Sequence, residues 1–553
     1  MYPHHGKIDL TNDSTDWQNQ AANFYSSPED THLCIQDRAL PFCTVSCNSR
    51  AALFRWSTEF VLNRTIVANS LVAIGDEEGG VRLLESAKDG KPGFSTAYLS
   101  FRPHHNAILD LSFSSNDMLL ATASGDQSAR IIDMPTQRTT FTMAGHVSSV
   151  KQVRFQPGSS DKVIATSSRD GSVQIWDLRC KGFDGPVHDI RVSLDPSSTE
   201  PEVRKDAKLK RMTWARSTNN IYEAHASREA VQSKAMPTPI ILGGTAIDAP
   251  SKTESPGRQG DVSVTALAFL QPGREHLLLT TSEANTSVKL WDLRITHNHR
   301  RGGAMPLSTT RQPQSHDRHR QFGLTSLSLS GDGARFYTLC RDNTVYAYST
   351  SHLILGHAPE LSSGPSRPRR SGGLDREGSG PIYGFRHPRF HATTFYVKSS
   401  LRPAFDDKSE MLSVGSSDGC AILFPTDERY LKRQYGTSGE NPIRSLPETP
   451  SALHRTTRPT LSRTSSGVGL STRLEDAIPI YQHGTALVRG HSKEVTASAW
   501  TCKGDLVTVG DDFVARCWRE GPDARDLRMG GEKDGRRWGC GWAEIDGDWD
   551  DDD

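Results

Sequence analysis

The 553-residue sequence contains no long hydrophobic run and no excess of charge of either sign. No window comes near the roughly 18 consecutive apolar residues that a membrane helix requires, and the start MYPHHGKIDL lacks the regions of a secretory signal. Lysine plus arginine number 65, as do aspartate plus glutamate, so net charge gives no reason for binding nucleic acid or membranes. We therefore expect a soluble protein without membrane contact, and at most indirect or weak contact with DNA.

Cysteines are few and unpaired in the sequence. There are nine, an odd number, and the closest pair, Cys43 and Cys47, has no second pair at metal-ligand spacing. This pattern favours reduced core or surface thiols over zinc ligands or disulfides.

Catalytic motifs are also missing. The sequence has no HExxH, GxSxG or GxxxxGK[ST] motif, and the acidic residues of GDEEGG, Gly75 to Gly80, would repel a phosphate. Carboxylates paired across a pocket stay possible, but nothing singles them out. We predict no catalytic residues, no cofactor, no metal and no enzymatic activity.

A repeated pattern runs through most of the chain. Apolar alternating runs are separated by turns rich in Gly, Asp, Asn and Ser, which is typical of antiparallel strands joined by tight turns. The units span residues 71–85, 107–133, 145–177, 262–292, 324–349, 395–424 and 490–518. A period of this kind predicts one all-β ring architecture in place of several domains.

The third and last units resemble the WD-repeat β-propellers, in which a histidine, a hydroxyl residue, a turn aspartate and a tryptophan form a buried hydrogen-bonded chain. The matching positions are His146, Thr166, Asp170 and Trp176, and His491, Thr508, Asp512 and Trp518. Buried polar groups are tolerated only when each is paired, so such a chain specifies one blade geometry. The resemblance implies a seven-bladed propeller over residues 41–520. Other units depart from the pattern, for example at Asn285, which replaces the turn aspartate.

Polar segments interrupt the units. Low apolar content predicts disordered insertions at about residues 181–260, 358–380 and 429–476, a flexible N-terminal segment at 1–40, and a C-terminal tail at 521–553. The acidic end WDDDD is either a solubilising tail or a contact for a basic partner. Residues 60–70, FVLNRTIVANS, are expected to supply a strand that closes the ring.

Histidine clusters have two interpretations. His104 falls at the repeat position that His146 and His491 occupy in their units, which favours a structural hydrogen bond over a metal ligand. The cluster at His297 and His299 has no acidic or thiol companion at ligand spacing.

The sequence WDLR occurs in two successive units. It places Asp177 with Arg179, and Asp292 with Arg294, directly after a strand. A single arginine there is explained by pairing with the aspartate, but two in neighbouring units predict a docking surface that offers planar groups of N–H donors.

The doubled motif is similar to the WDxR box of substrate receptors for cullin-4 RING ubiquitin ligases. The strings EEGGVRL, GDQSARIID, TTFYVKSSL and GHSKEVTASAW further resemble the denticleless family, of the fungal type, since animal members carry a long C-terminal extension. The resemblance implies a non-catalytic, nuclear receptor. It would bind the adaptor, the damage-specific DNA-binding protein large subunit, and through it cullin-4 and the RING subunit. Its substrates would carry degrons bound to the sliding clamp, proliferating cell nuclear antigen.

Two further sets of residues are assigned roles. Arg169, Arg341 and Lys398 are candidates to contact an acidic degron residue at the mouth of the channel, with solvent-exposed charge as the alternative. The basic run Arg204, Lys205, Lys208, Lys210 and Arg211 is either solvated charge, a nuclear import signal or a nucleic-acid patch.

Two other functions would fit the same fold. One is a scaffold without a ligase, such as a propeller that binds chromatin or histone tails. The other is a propeller hydrolase, for which we would expect clustered carboxylates or a nucleophile at the channel, and the sequence offers neither.

Overall fold

The structure is a computed structural model. It describes residues 20–34, 39–48, 70–88, 93–187, 210–226, 262–271, 273–295, 305–317, 321–355, 376–428, 430–431, 478–530 and 537–545. None of the helices in these ranges is long and apolar enough to cross a membrane.

Strands dominate the described part of the chain. The first half contains β1 (Phe24–Ser26), β2 (Thr31–Leu33), β3 (Pro41–Ser46), β4 (Leu71–Asp76), β5 (Val81–Glu85), β6 (Leu99–Phe101), β7 (Ile108–Phe113), β8 (Leu119–Ser124), β9 (Ala129–Asp133), β10 (Arg138–Met143), β11 (Val150–Phe155), β12 (Val163–Ser168), β13 (Val173–Asp177), β14 (Phe183–Val187), β15 (Lys210–Trp214), β16 (Ser217–Ile221), β17 (Val264–Phe269) and β18 (Leu277–Ser282).

The second half continues in the same way. It contains β19 (Lys289–Asp292), β20 (Ser308–Thr309), β21 (Leu324–Leu329), β22 (Arg335–Cys340), β23 (Thr344–Ser349), β24 (Arg376–Glu377), β25 (Tyr383–Phe385), β26 (Ser399–Arg402), β27 (Met411–Gly415), β28 (Ala421–Pro425), β29 (Ile480–Tyr481), β30 (Thr485–Val488), β31 (Val495–Trp500), β32 (Leu506–Gly510), β33 (Val514–Glu520) and β34 (Gly541–Ala543). The helices are a 3₁₀ turn (Pro28–Asp30), α1 (Gln314–Asp317), α2 (Thr350–Leu355) and α3 (Asp523–Met529).

Successive strands form antiparallel sets of three. These sets are β3–β5, β7–β9, β11–β13, β17–β19, β21–β23, β26–β28 and β31–β33. A fourth strand pairs with the third strand of each set: β6, β10, β16, β20, β25, β30 and β1 in turn. The first strands of neighbouring sets pack against one another. This is the arrangement of an all-β propeller.

Apolar side chains between neighbouring sets hold the propeller together. One cluster combines Ile175 of β13 with Leu278 and Trp291 of the next set, and another combines Ile74 of β4 with Val507 of β32. The second cluster joins the first and last sets. Each set therefore depends on both of its neighbours for burial of its two faces.

The N-terminal segment is part of the propeller, which differs from the flexible segment predicted for residues 1–40. β1 pairs with β33 and β34, and β2 pairs with β33. Phe24 is fully buried, and its ring lies 5.8 Å from that of Trp500. These strands are only three residues long, so they carry too little alternation to be recognised in the sequence. Residues 60–69, from which a closing strand was expected, lie outside the described residues.

Buried ion pairs and hydrogen bonds also attach the N-terminal segment to the last two sets. Arg519 donates to Asp30 at 2.6 Å and to Asp505 at 3.2 Å. Arg402, which is 1% exposed, donates to Glu520 at 2.5 Å and to Gln20 at 3.1 Å. Buried charges are tolerated only when paired, so these contacts fix the position of residues 20–30.

Three other segments that were predicted as disordered insertions or a tail contain strands or helices. The stretch 181–260 includes β14, β15 and β16, the stretch 358–380 includes β24, and the C-terminal tail includes α3 and β34. β16 has the sequence STNNI and is an outer strand, so it needs few apolar residues. The remaining parts of these stretches, and the acidic end, lie outside the described residues.

The packing of Phe24 gives the first prediction. Phe24→Ala is expected to lower the free energy of unfolding by about 3–5 kcal/mol, since it removes a fully buried ring at the junction of β1 and the last set. Urea denaturation of the full chain measures this. Leu33→Ala is the matched control, because Leu33 in β2 is 53% exposed and should cost no more than about 0.5 kcal/mol. Equal losses in both variants would contradict the assignment.

Candidate docking site

The two ends of the propeller carry different side chains. The Trp-Asp face is the end where the third strand of each set finishes, and it carries Asp177–Arg179 and Asp292–Arg294. The histidine face is the opposite end, where the second strand turns into the third, and it carries the turn aspartates Asp126, Asp170 and Asp512.

Arg179 is held by Asp177 on the Trp-Asp face. The guanidinium donates from Nε to Asp177 Oδ1 at 2.8 Å and from Nη2 to Oδ2 at 2.7 Å, and the backbone N–H of Arg179 donates to Oδ1 at 2.9 Å. This two-point pair lowers the pKa of Asp177. The arginine side chain is still 64% exposed. Its remaining N–H donors are therefore presented to solvent in a fixed orientation.

Arg294 repeats this arrangement in the next set. Its Nε donates to Asp292 Oδ1 at 3.0 Å and its Nη2 to Oδ2 at 2.8 Å, while the side chain is 66% exposed. The hydrogen bond from Arg294 likewise lowers the pKa of Asp292. The equivalence of the two geometries follows from the strands, because the third strand in both sets ends in Trp-Asp with the tryptophan buried.

The two arginine sites are held in a fixed relation to each other. The sets that carry them share an apolar cluster that includes Ile175, Trp291 and Leu293. Asn219 of β16 donates from its side chain to the carbonyl oxygen of Leu293 at 3.2 Å. The Trp-Asp face thus offers two exposed, oriented guanidinium groups from neighbouring parts of a rigid surface, which suits recognition of carboxylates or carbonyl groups on a protein partner.

The residues of the predicted hydrogen-bonded chain come together in the third set. Trp176 Nε1 donates to Thr166 Oγ1 at 2.9 Å, Thr166 Oγ1 lies 2.7 Å from His146 Nε2, and His146 Nδ1 lies 3.3 Å from Asp170 Oδ2. Burial acts to raise the pKa of Asp170, but hydrogen bonds from His146 and Ser172 outweigh it, so the pKa is lowered. The ionised carboxylate accepts from Nδ1–H, which leaves Nε2 to accept from the threonine hydroxyl.

The last set has the same chain. Trp518 donates to Thr508 at 2.9 Å, and His491 lies 2.8 Å from Thr508 and 3.1 Å from Asp512. Gly490 precedes the histidine because a Cβ at this position would overlap the indole of Trp518. His104 occupies the corresponding position in the second set, 2.6 Å from Thr122 and 2.8 Å from Asp126, as a structural role requires.

The fourth set uses a histidine that the sequence did not reveal. His225 Nε2 lies 2.9 Å from Thr280 Oγ1, which also accepts from Trp291 at 2.8 Å. Asn285 replaces the turn aspartate, and His225 Nδ1 is buried without a hydrogen-bond partner among the described residues. Burial lowers the pKa of His225, so the ring is neutral. His225 falls within a long insertion without fixed spacing, so the repeat pattern gave no signal for it.

One group of side chains has the composition of a metal site. His316, Cys340 and Asp342 place their ligand atoms within 4.8 Å of one another. His316 already pairs with Asp342 at 2.9 Å, and Tyr346 donates to the same carboxylate at 2.5 Å. Burial raises the pKa of the Cys340 thiol, which disfavours the thiolate that a metal requires. We assign the group to the structural chain of the fifth set.

The predicted substrate contacts lie in different environments. Arg169 is exposed on the histidine face, next to Asp170. Arg341 donates to the carbonyl oxygen of Thr393 at 2.8 Å and lies over the ring of Phe395 at 4.4 Å, so it holds a loop in place.

Lys398 differs from the prediction. Its Nζ donates to the carbonyl oxygen of Thr325 at 2.8 Å, and burial lowers its pKa to about 8. It joins two neighbouring sets and is not free to contact a substrate. The sequence indicated that Lys398 lies near a strand, but it could not indicate the backbone carbonyl group to which Lys398 donates.

Tyr396 and Lys151, near Lys398, were not predicted. Tyr396 is 44% exposed and lies between the ring of Phe42, at 5.5 Å, and the ammonium group of Lys151, at 5.6 Å. Tyr396 belongs to the string FYVKSSL, so the family resemblance contained a signal that a generic repeat search misses.

The predicted basic run is described only in part. Arg204, Lys205 and Lys208 lie outside the described residues, while Lys210 and Arg211 belong to β15, which pairs with β14 and β10. The last two residues therefore lie in a strand, contrary to the loop that was expected. Paired strands in this region were not anticipated because the segment is highly polar.

The hydrogen-bonded chain gives the second prediction. Thr166→Val should lower the free energy of unfolding by about 1–3 kcal/mol, because Trp176 Nε1 and His146 Nε2 would both lose a buried partner. Thr136→Val is the control, since that hydroxyl bonds Asp133 at an exposed turn and should cost about 0.5 kcal/mol or less. Chemical denaturation at neutral pH compares them, and a loss no larger than that of the control would refute a stabilising role.

Comparisons with known proteins agree with the propeller fold. The family model "WD domain, G-beta repeat" matches residues 96–133, 137–177 and 484–519. The Schizosaccharomyces pombe "Cell division cycle protein cdt2" is 25% identical over 508 residues, which cover 90% of this chain and 71% of the relative. The "Denticleless protein homolog" is 25% identical in Mus musculus and 24% identical in Homo sapiens.

The matches extend over most of the chain. They cover 81% of it for the mouse relative and 91% for the human relative, but only 44% and 50% of those proteins, so the chain spans about half the length of the mammalian relatives. The chain accordingly contains WD repeats and is similar over most of its length to cdt2 and denticleless proteins.

Proposed function

We propose that the chain is the non-catalytic substrate receptor of a cullin-4 RING ubiquitin ligase. The observation that carries the proposal is the pair of matched, exposed arginines on the Trp-Asp face, each fixed by its aspartate. The similarity to cdt2 and denticleless proteins supports it. The partner at the Trp-Asp face is the adaptor, the damage-specific DNA-binding protein large subunit, which brings cullin-4 and the RING subunit.

The receptor contributes proximity and not bond chemistry. Holding a substrate beside the ubiquitin-loaded conjugating enzyme raises the effective concentration of the substrate. The ubiquitin transfer, otherwise bimolecular, then takes place within one complex. Such a role requires two separate binding surfaces. The Trp-Asp face and the histidine face lie at opposite ends of the propeller, so adaptor and substrate can bind together.

The propeller we propose has seven blades. The first strands support this count, because β3, β7, β11, β17, β21, β26 and β31 each pack against the next, and β31 packs against β3. The strands of these sets, which are four to seven residues long, separate the two faces.

The substrate surface is assigned to the histidine face. Arg169 is exposed there, and Tyr396 and Lys151 lie nearby towards the axis, where burial and the charge of Arg169 lower the pKa of Lys151. This mixture of cationic and aromatic groups suits an extended peptide with an acidic residue. The substrates are replication and cell-cycle regulators presented on proliferating cell nuclear antigen and then degraded by the proteasome. The site of action is the nucleus, in keeping with the basic run at residues 204–211.

The docking proposal gives the third prediction. The double variant Arg179→Ala, Arg294→Ala should bind the purified adaptor roughly 30-fold more weakly or worse, because both oriented guanidinium groups are lost. Affinity purification from nuclear extract should recover the adaptor and cullin-4 with the intact protein and not with the folded double variant.

Arg102→Ala is the matched control, since Arg102 is 55% exposed and paired with Glu78 on the histidine face. It should leave adaptor binding unchanged. If the intact protein recovers neither the adaptor nor cullin-4, the paired arginines are local structure and a scaffold without a ligase becomes the better account.

The substrate surface gives the fourth prediction. Arg169→Glu should weaken binding of a clamp-bound degron peptide at least about tenfold by placing a negative charge opposite an acidic residue. Fluorescence anisotropy with a labelled peptide measures this, and adaptor binding should not change. Arg102→Glu serves as the control on the same face. Unchanged peptide affinity in Arg169→Glu would remove Arg169 from the substrate surface.

A further inference from the structure

Two cysteines meet where the first and last sets of strands pack together. Cys47 directly follows β3, and Cys502 lies in the turn between β31 and β32. β3 packs against both β31 and β32, and this packing brings Cys47 and Cys502 close together. Their separation in sequence hides this contact.

The two sulfur atoms lie on either side of a single short segment. The backbone N–H of Leu71 donates to Cys47 Sγ at 3.3 Å, and Ser70 Oγ lies 3.6 Å from Cys502 Sγ. Each sulfur therefore contacts one of two consecutive residues, which brings the two cysteines close together in the folded protein.

The environment makes the two sulfurs unequal. The hydrogen bond from Cys47, together with Ser70 and the adjacent Lys503, lowers the pKa of Cys502 to about 6, although burial opposes this. The hydrogen bond to Cys502, burial and the charge of Asp117 raise the pKa of Cys47. Cys502 is partly exposed, whereas Cys47 is 3% exposed. An accessible, thiolate-forming cysteine beside a protected thiol is the usual composition of a redox-sensitive pair.

We propose that Cys47 and Cys502 form a reversible disulfide when the protein meets a peroxide, and that this bond locks the first set of strands to the last. The Cys502 thiolate attacks one peroxide oxygen, the O–O bond breaks, and the released hydroxide takes a proton to form water. Cys47 then attacks the sulfur of the Cys502 sulfenic acid, which releases a second water. Two thiols are oxidised by two electrons, and one peroxide is reduced to two waters.

The expected consequence is mechanical. The junction of the first and last sets brings together β3 and β31, which lie near opposite ends of the chain. A covalent bond across it closes a loop that includes most of the chain, and long closed loops restrict the unfolded state strongly. The oxidised receptor should therefore resist unfolding more than the reduced one.

The test exposes the full chain to hydrogen peroxide, blocks residual thiols with N-ethylmaleimide and maps the peptides by mass spectrometry. We expect a linked peptide that joins Cys47 to Cys502 and disappears with dithiothreitol, together with a higher urea midpoint for the oxidised protein. Cys180→Ser, which removes an exposed cysteine elsewhere, should behave as the intact protein does.

Cys502→Ser should give no link, leave Cys47 as a free thiol that N-ethylmaleimide labels once the protein is unfolded, and lose the shift in the urea midpoint. Cys47→Ser should instead leave Cys502 as a sulfenic acid that dimedone labels. Failure of the intact protein to form the link at peroxide concentrations that oxidise Cys180 would overturn the proposal. So would a link that forms only after unfolding in urea.

Discussion

Closure of the ring is the constraint on which the rest of this structure depends. Each set of strands buries its faces against two neighbours, so the first and last sets must meet or both lose half of their packing. Here the closure is made by β1 and β2, which complete the last set, and by apolar contacts such as Ile74 with Val507. Arg519 extends the junction, since it pairs with Asp30 of the N-terminal segment and donates to the carbonyl oxygen of Ser86, directly after β5. The chain's N-terminal segment is therefore a structural element of its C-terminal blade.

The functional proposals follow from this rigidity. Two arginines recognise a partner as a unit only if the strands that carry them keep one relative position, and the shared cluster around Trp291 supplies that in the third and fourth sets. The same geometry puts the histidine chains, Arg169 and Tyr396 at the other end. The proposed adaptor and substrate surfaces are thus separated by the strands themselves, without a hinge.

The sequence predicted the parts of the fold that repeat. The chain from Trp176 through Thr166 and His146 to Asp170 could be assigned because its spacing is shared among units, and the aspartate after Trp176 and Trp291 located both arginines. What the sequence could not provide was anything that depends on contacts between distant segments. Phe24 and β16 lie in polar stretches, His225 and His316 come from insertions without fixed spacing, and the partner of Lys398 is a backbone carbonyl of another set.

The central claim is that the Trp-Asp face, and not the histidine face, contacts the ligase adaptor. A photoreactive amino acid placed at Ile295, which is 52% exposed and adjacent to Arg294, tests this directly when compared with one at Val147, which is 76% exposed beside His146. The account predicts that irradiation of the assembled complex crosslinks the adaptor from position 295 and not from position 147. Crosslinking from position 147 alone would contradict it.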